Sequence, residues 1–183
     1  MSYSLIFSYT LIAFGACFGI LALFTFFGMI QKNISNNEKI PRNFMFGALF
    51  AVIDVIWCVP QALAIFSPGS SSWIFPVAII FLIVGCFFLD YLFARALAGF
   101  LILLSHYFLM ESFAADIPFI WLFSIFCYAM GTFAIVIGGI PHLLRDLIRQ
   151  ISLNRSWRIS FTIIFTYYFL IGVITGASVL LTQ

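Results

Sequence analysis

Asp54 is the one acidic residue deep inside an apolar run, about halfway along the stretch from Phe44 to Phe66. An ionised carboxylate at that depth in a membrane costs roughly 2.5–3.5 kcal/mol on insertion scales. Such a group has to face protein or water rather than lipid. Trp57, Cys58 and Gln61 follow it at i+3, i+4 and i+7, which puts the four side chains on one helical stripe. Pro60 lies in the same run and withdraws a backbone donor, so it predicts a kink that frees the Ile56 carbonyl. A polar stripe beside a kink is a candidate pocket wall, with Asp54 and Gln61 as its polar groups.

His106 is the natural partner. It lies eleven residues after Arg95, and Asp54 lies twelve after Arg42. If both arginines mark one membrane boundary, the two side chains differ in depth by about 1.5 Å. We expect Asp54 and His106 to meet near the bilayer midplane, either as a clasp between helices or as a pair that handles a proton or a substrate.

Other chemistry finds little support. The histidines are His106 and His142, the second of them at the cytoplasmic surface, so a bis-histidine haem is not expected. Cys17, Cys58, Cys86 and Cys127 fall singly in four apolar runs, without metal-ligand spacing. No metal or other cofactor is therefore expected. Nucleophile elbows, zinc-protease motifs and phosphate loops are missing, so no catalytic residue is assigned and the expectation leans away from an enzyme. Asp90 and Arg95 offer a single carboxylate, whereas metal-assisted transfer of a lipid headgroup needs several.

The elements that must position these residues follow from composition. The 183 residues are 64% hydrophobic and 8% charged, against roughly 25% charged in an ordinary soluble domain. Most of the surface must then face lipid. We expect an all-α integral membrane protein, one polytopic domain of six spans at about 4–30, 44–66, 73–90, 94–113, 117–139 and 157–181. The apolar stretch from Trp73 to Phe113 would be about 60 Å long as one helix, twice the membrane, so a break is placed near Asp90 to Arg95. Asp90 is the candidate cap after that break. Asp116 and Pro118 are expected to open the fifth span, and Ser67 to Ser72 to form an uncharged outer turn.

All eight Lys and Arg residues fall in alternate connections: Lys32, Lys39 and Arg42 in the first, Arg95 in the third, and Arg145, Arg149, Arg155 and Arg158 in or beside the fifth. This positive-inside pattern predicts both termini outside and places the protein in the cell's inner or plasma membrane. Residues 141–152 alternate leucine and isoleucine with charge at a helical period, too short to span. They are read as an interfacial cytoplasmic helix whose Arg145 and Arg149 meet lipid headgroups, or as a helical loop packed on the bundle. Nucleic acid is not an expected partner, because no basic patch with interleaved aromatics lies outside this region.

Gly15 and Gly19 in the first span, and Gly172 and Gly176 in the sixth, form Gly-xxx-Gly pairs that let a helix approach closely. They can join those two spans or face partner subunits or a second copy. On this basis the leading expectation is a non-catalytic subunit or scaffold of a larger membrane assembly. A small transporter or ion-conducting protein using Asp54 and His106 comes next, and a membrane enzyme acting on lipid or quinone last.

Overall fold

The computed structural model describes residues 2–65, 71–115, 117 and 120–181, and among these there is no strand. The helices are α1 (Ser2–Phe27), α2 (Ile34–Asn37), α3 (Phe44–Ile65), α4 (Ser71–Phe88), α5 (Leu92–Ala114), α6 (Ile120–Gly139), α7 (His142–Leu153) and α8 (Arg155–Leu181). Five carry apolar stretches long enough to cross a membrane: Leu5–Phe27, Phe44–Leu63, Leu92–Ala114, Ile120–Gly139 and Arg155–Leu181. α4 carries a shorter one, Trp73–Phe88. Helices satisfy their own backbone groups, which is why an apolar chain of this kind can sit in hydrocarbon. The chain is an all-helical integral membrane protein.

Several boundaries differ from the hydropathy limits. α1 stops at Phe27, with the Gly28 and Met29 amides both folded back onto the Phe24 carbonyl. The long central stretch breaks at Leu89-Asp90-Tyr91, where Tyr91 takes a left-handed φ of 56°. α3 continues through Pro60 to Ile65. Of the expected turn from Ser67 to Ser72, residues 67–70 lie outside the described residues and Ser71 and Ser72 open α4 instead; the expected caps Asp116 and Pro118 also lie outside the described residues.

The chain divides into two compact units. The first comprises Met1–Glu38, Ser105–Ala129 and Asp146–Gln183. Its centre is an antiparallel pairing of α1 with α8 at their glycines. A Cβ built on Gly172 would lie 2.9 Å from the Gly15 Cα and 3.1 Å from the Leu11 carbonyl oxygen. One on Gly176 would lie 3.0 Å from the Ser8 carbonyl oxygen, and one on Gly15 would lie 3.1 Å from the Phe169 carbonyl oxygen. Only a bare backbone fits at these places, so dispersion contacts between main chains replace the missing side chains. Phenylalanines fill the rest, with Phe14 and Phe108 rings edge-to-face at 4.9 Å and Phe126 against Tyr168 at 3.8 Å.

Polar groups close the end of α1. Just past its last residue, side chains donate to the chain's carbonyls: Asn33 and Asn37 to that of Gly28 at 3.2 and 3.4 Å, and Arg158 to that of Met29 at 3.3 Å. Asn37, itself buried, also reaches Ser152 Oγ in α7 at 3.5 Å. In the same helix Ile148 and Ile151 are buried, while Arg149 meets Glu38 at 3.6 Å. This stretch of α7 is thus packed against protein, and Arg149 has a carboxylate partner beside it.

Thr25 is fully buried in α1, and its hydroxyl finds no hydrogen-bond partner among the described residues. An unmet buried hydroxyl is unfavourable, and valine has nearly the same shape. Thr25→Val should hold or raise stability by up to about 1 kcal/mol. Thermal unfolding in mild detergent checks this, and a clear drop in the midpoint would show that the hydroxyl is bonded.

The second unit comprises Lys39–Leu104 and Met130–Arg145. Here α3 and α5 meet at small residues. A Cβ on Gly47 would fall 2.7 Å from the Phe93 nitrogen, so the two backbones touch near their N-terminal ends. Ala94, Ala96 and Ala98 of α5 are buried, and a Cβ on Gly138 of α6 would sit 3.3 Å from that of Ala98. Phe50 of α3 packs edge-to-face on Phe93 and Phe100, at 5.9 and 5.2 Å. α4 has no buried side chain among its described residues.

Candidate functional site

Asp54 belongs to the second unit and sits half-buried on the face of α3 that meets α5. Phe50, Asp54 and Trp57 recur at i, i+4 and i+7, so one face carries all three toward α5. Trp57 rests on Phe100 with ring centroids 6.1 Å apart. Between the flanking aromatics, Asp54 lies over Gly99: a Cβ built there would be 2.8 Å from Asp54 Oδ2. The glycine therefore makes room for the carboxylate. Asp54 Oδ1 is buried and receives no hydrogen bond from any described residue.

A cavity of about 220 Å³ opens beside it. Ala51, Asp54, Val55, Leu82, Gly85 and Arg95 are among its lining residues. Arg95 stands one helical turn before Gly99 on α5, exposed, and lines the same cavity as Asp54. A buried carboxylate oxygen without a hydrogen bond is costly in a low-dielectric surround. An incoming proton or cationic group would offset that cost.

The remaining sequence candidates fall elsewhere. Cys58 and Gln61 are exposed, so the polar stripe turns away from the α5 contact beyond Trp57. His106 lies on the part of α5 belonging to the first unit and is exposed, whereas Asp54 belongs to the second. Gly15, Gly19, Gly172 and Gly176 all lie at the α1–α8 pairing, where a Cβ built on Gly19 would lie 3.0 Å from the Phe169 ring. Arg145 is half-buried in α7 and Arg149 is exposed beside Glu38. Among the described residues no group of three or more His, Cys, Asp or Glu could hold a metal ion.

Gly99 and Arg95 were not singled out with Asp54 by sequence reasoning. The available signal was the run Ala94-Arg95-Ala96-Leu97-Ala98-Gly99, small residues that admit a neighbouring helix with a cation set among them. Protein-family models, curated proteins and solved structures give no match to this chain.

Proposed function

We propose that this chain is a small membrane transporter in which Asp54 receives a proton or a small cationic group, at a cavity that Arg95 also lines. The observation that carries this is the Asp54 carboxylate itself. One oxygen is seated over Gly99 and the other is buried without a hydrogen bond, at the wall of a cavity shared with Arg95. A purely structural acid would be expected to have its lone pairs satisfied. A site that must receive and release its ligand is served better by a carboxylate left unsatisfied.

The membrane frame proposed for this site is six spans with both termini outside, in the cell's plasma or inner membrane. The antiparallel pairing of α1 with α8 supports an even number of crossings, because it sets the start of one beside the end of the other. Counting α4 gives that even number, and its 18 residues reach about 27 Å, close to the hydrocarbon thickness. The alternating cation distribution supports that orientation.

The test is flux into liposomes holding the purified chain, loaded with dyes for protons, sodium or potassium. Asp54→Asn should cut the flux by at least about tenfold, equivalent to 1.4 kcal/mol, while leaving the thermal midpoint in place. Liposomes no leakier than empty ones to all three ions, or an Asp54→Asn protein that still conducts, would sink the proposal.

A second reading keeps the chain as a non-catalytic subunit of a membrane assembly. In its favour is α4, which buries no described side chain within its own chain and leaves Phe87 and Phe88 each 82% exposed. Purification from native membranes in a mild detergent distinguishes the two: a stable heteromeric particle supports the subunit, and a lone chain or homo-oligomer removes it. The Gly-xxx-Gly pairs, which would have served a partner, are engaged with each other in the first unit.

A further inference from the structure

A second cavity in the same unit, of about 330 Å³, lies at the N-terminal ends of α3 and α5. Arg42, Asn43, Asp90, Tyr91 and Leu92 are among its lining residues. It is larger than the Asp54 cavity and reaches the lower end of the roughly 300–1,000 Å³ range of ligand pockets. Two features set it apart from a chance surface dent.

The first is that its cation is held in place. Arg42 Nη2 donates to Tyr91 Oη at 3.4 Å, and the guanidinium carbon lies 5.7 Å from the centre of the Tyr91 ring. The guanidinium has five N–H donors and this contact uses one. Tyr91 reaches it from a left-handed backbone at φ 56°, a conformation that a bulky residue holds only when its surroundings fix it. On the other side Asn43 Oδ1 accepts the amides of Met45 and Phe46 at 3.0 and 3.4 Å, capping α3 directly after Arg42. The Gly47–Phe93 backbone contact locks the two helix ends together. Arg42 is thus presented beside the N-terminus of α5, whose helix dipole favours an anion, while the first amides of α3 are taken by Asn43.

The second feature is the charge of opposite sign. Asp90 lines the same cavity from the turn between α4 and α5. A site for a simple anion would not carry a carboxylate, and a site for a simple cation would not carry a guanidinium beside a helix N-terminus. A ligand with both charges satisfies the two together. α3 and α5 run from this cavity into apolar stretches of membrane-crossing length, so it opens where phosphate groups and water meet.

We propose that this rim cavity binds the headgroup of an aminophospholipid, with Arg42 taking the phosphate in a charge-assisted hydrogen bond and Asp90 taking the primary ammonium group. The amine is the discriminating element. A primary ammonium donates three hydrogen bonds to acceptors such as the Asp90 carboxylate, a quaternary ammonium donates none, and a glycerol headgroup brings no positive charge at all. This site does not rest on Asp54 or on transport.

Native mass spectrometry of the intact chain, titrated with phosphatidylethanolamine, phosphatidylcholine and phosphatidylglycerol of identical acyl chains, tests it at equilibrium and without any flux readout. The ethanolamine lipid should bind about tenfold more tightly than the other two. Asp90→Asn should erase that preference while leaving a phosphate-driven affinity common to all three lipids. Arg42→Gln should weaken all three together. Tyr91→Phe, which keeps the ring and removes only the hydroxyl, gives a milder loss of the same kind should Arg42→Gln not fold. Equal binding of the three lipids by the unsubstituted chain, or a preference that survives Asp90→Asn, overturns the proposal. Soluble glycerophosphoethanolamine should displace the bound lipid only when in large excess; binding of the soluble ester as tight as that of the lipid overturns the proposal, in favour of a free phosphate ester.

Discussion

Gly172→Leu should be the most damaging single substitution in this chain, lowering its stability by at least about 3 kcal/mol, the top of the range usual for overpacking. A Cβ at this position already falls 2.9 Å from the Gly15 Cα and 3.1 Å from the Leu11 carbonyl oxygen. Both are main-chain atoms, so no side chain can rotate away and the helices themselves have to part. Separation of α1 from α8 would also undo the neighbouring contacts at Gly15 and Gly176. The control is Gly19→Leu, where a Cβ would lie 3.0 Å from the Phe169 ring. A ring can turn, so the loss there should be clearly smaller. Thermal unfolding and size-exclusion profiles in mild detergent measure both. Equal losses at the two positions would mean that the α1–α8 approach is looser than described.

Gly99→Ala should do the opposite: keep the fold and remove the proposed transport. The atom in the way of its Cβ is Asp54 Oδ2 at 2.8 Å, the far end of a flexible side chain. Rotating that carboxylate costs little in packing, and alanine suits a helix better than glycine. The thermal midpoint should therefore move by only a few degrees. Asp54, however, would lose its seat beside the cavity while keeping its charge. Ion flux should fall by about tenfold or more. Combining Gly99→Ala with Asp54→Asn should give no further loss, since either change alone leaves no carboxylate seated over Gly99. Undiminished flux in Gly99→Ala would show that the seat over Gly99 has no part in transport.

How far the sequence carries this picture depends on the range of the interactions involved. Apolar length and the position of charges are local properties, and they give the helices and the break near Asp90 to within a few residues. The amphipathic period of α7 is local too. Which surface its face meets is not local, because that is set by Asn37 and Glu38, distant in sequence. The same limit governs the candidate site. Asp54 announces itself as a charge among apolar residues, but its neighbours are a glycine and an arginine on another helix, and no spacing along α3 points to them. His106 drew attention through depth bookkeeping, which fixes height in the membrane and leaves open which way each helix faces. The Gly-xxx-Gly pairs signal that something approaches closely without saying what; only the three-dimensional contact identifies each pair as the other's partner.

That contact also bears on how the protein is made. Synthesis proceeds from the N-terminus, so α1 is threaded into the bilayer long before α8 leaves the ribosome. At about 5–20 residues per second the delay is on the order of ten seconds. Throughout it, the groove at Gly15 and Gly19 is without the helix that fits it. A nascent chain in this state can be met by an insertion factor, by another membrane helix with small residues, or by α8 of a second copy, which would yield an exchanged dimer. Biogenesis of this chain therefore contains a waiting step, and the yield of chains with α1 paired to their own α8 should depend on how quickly translation reaches the final helix.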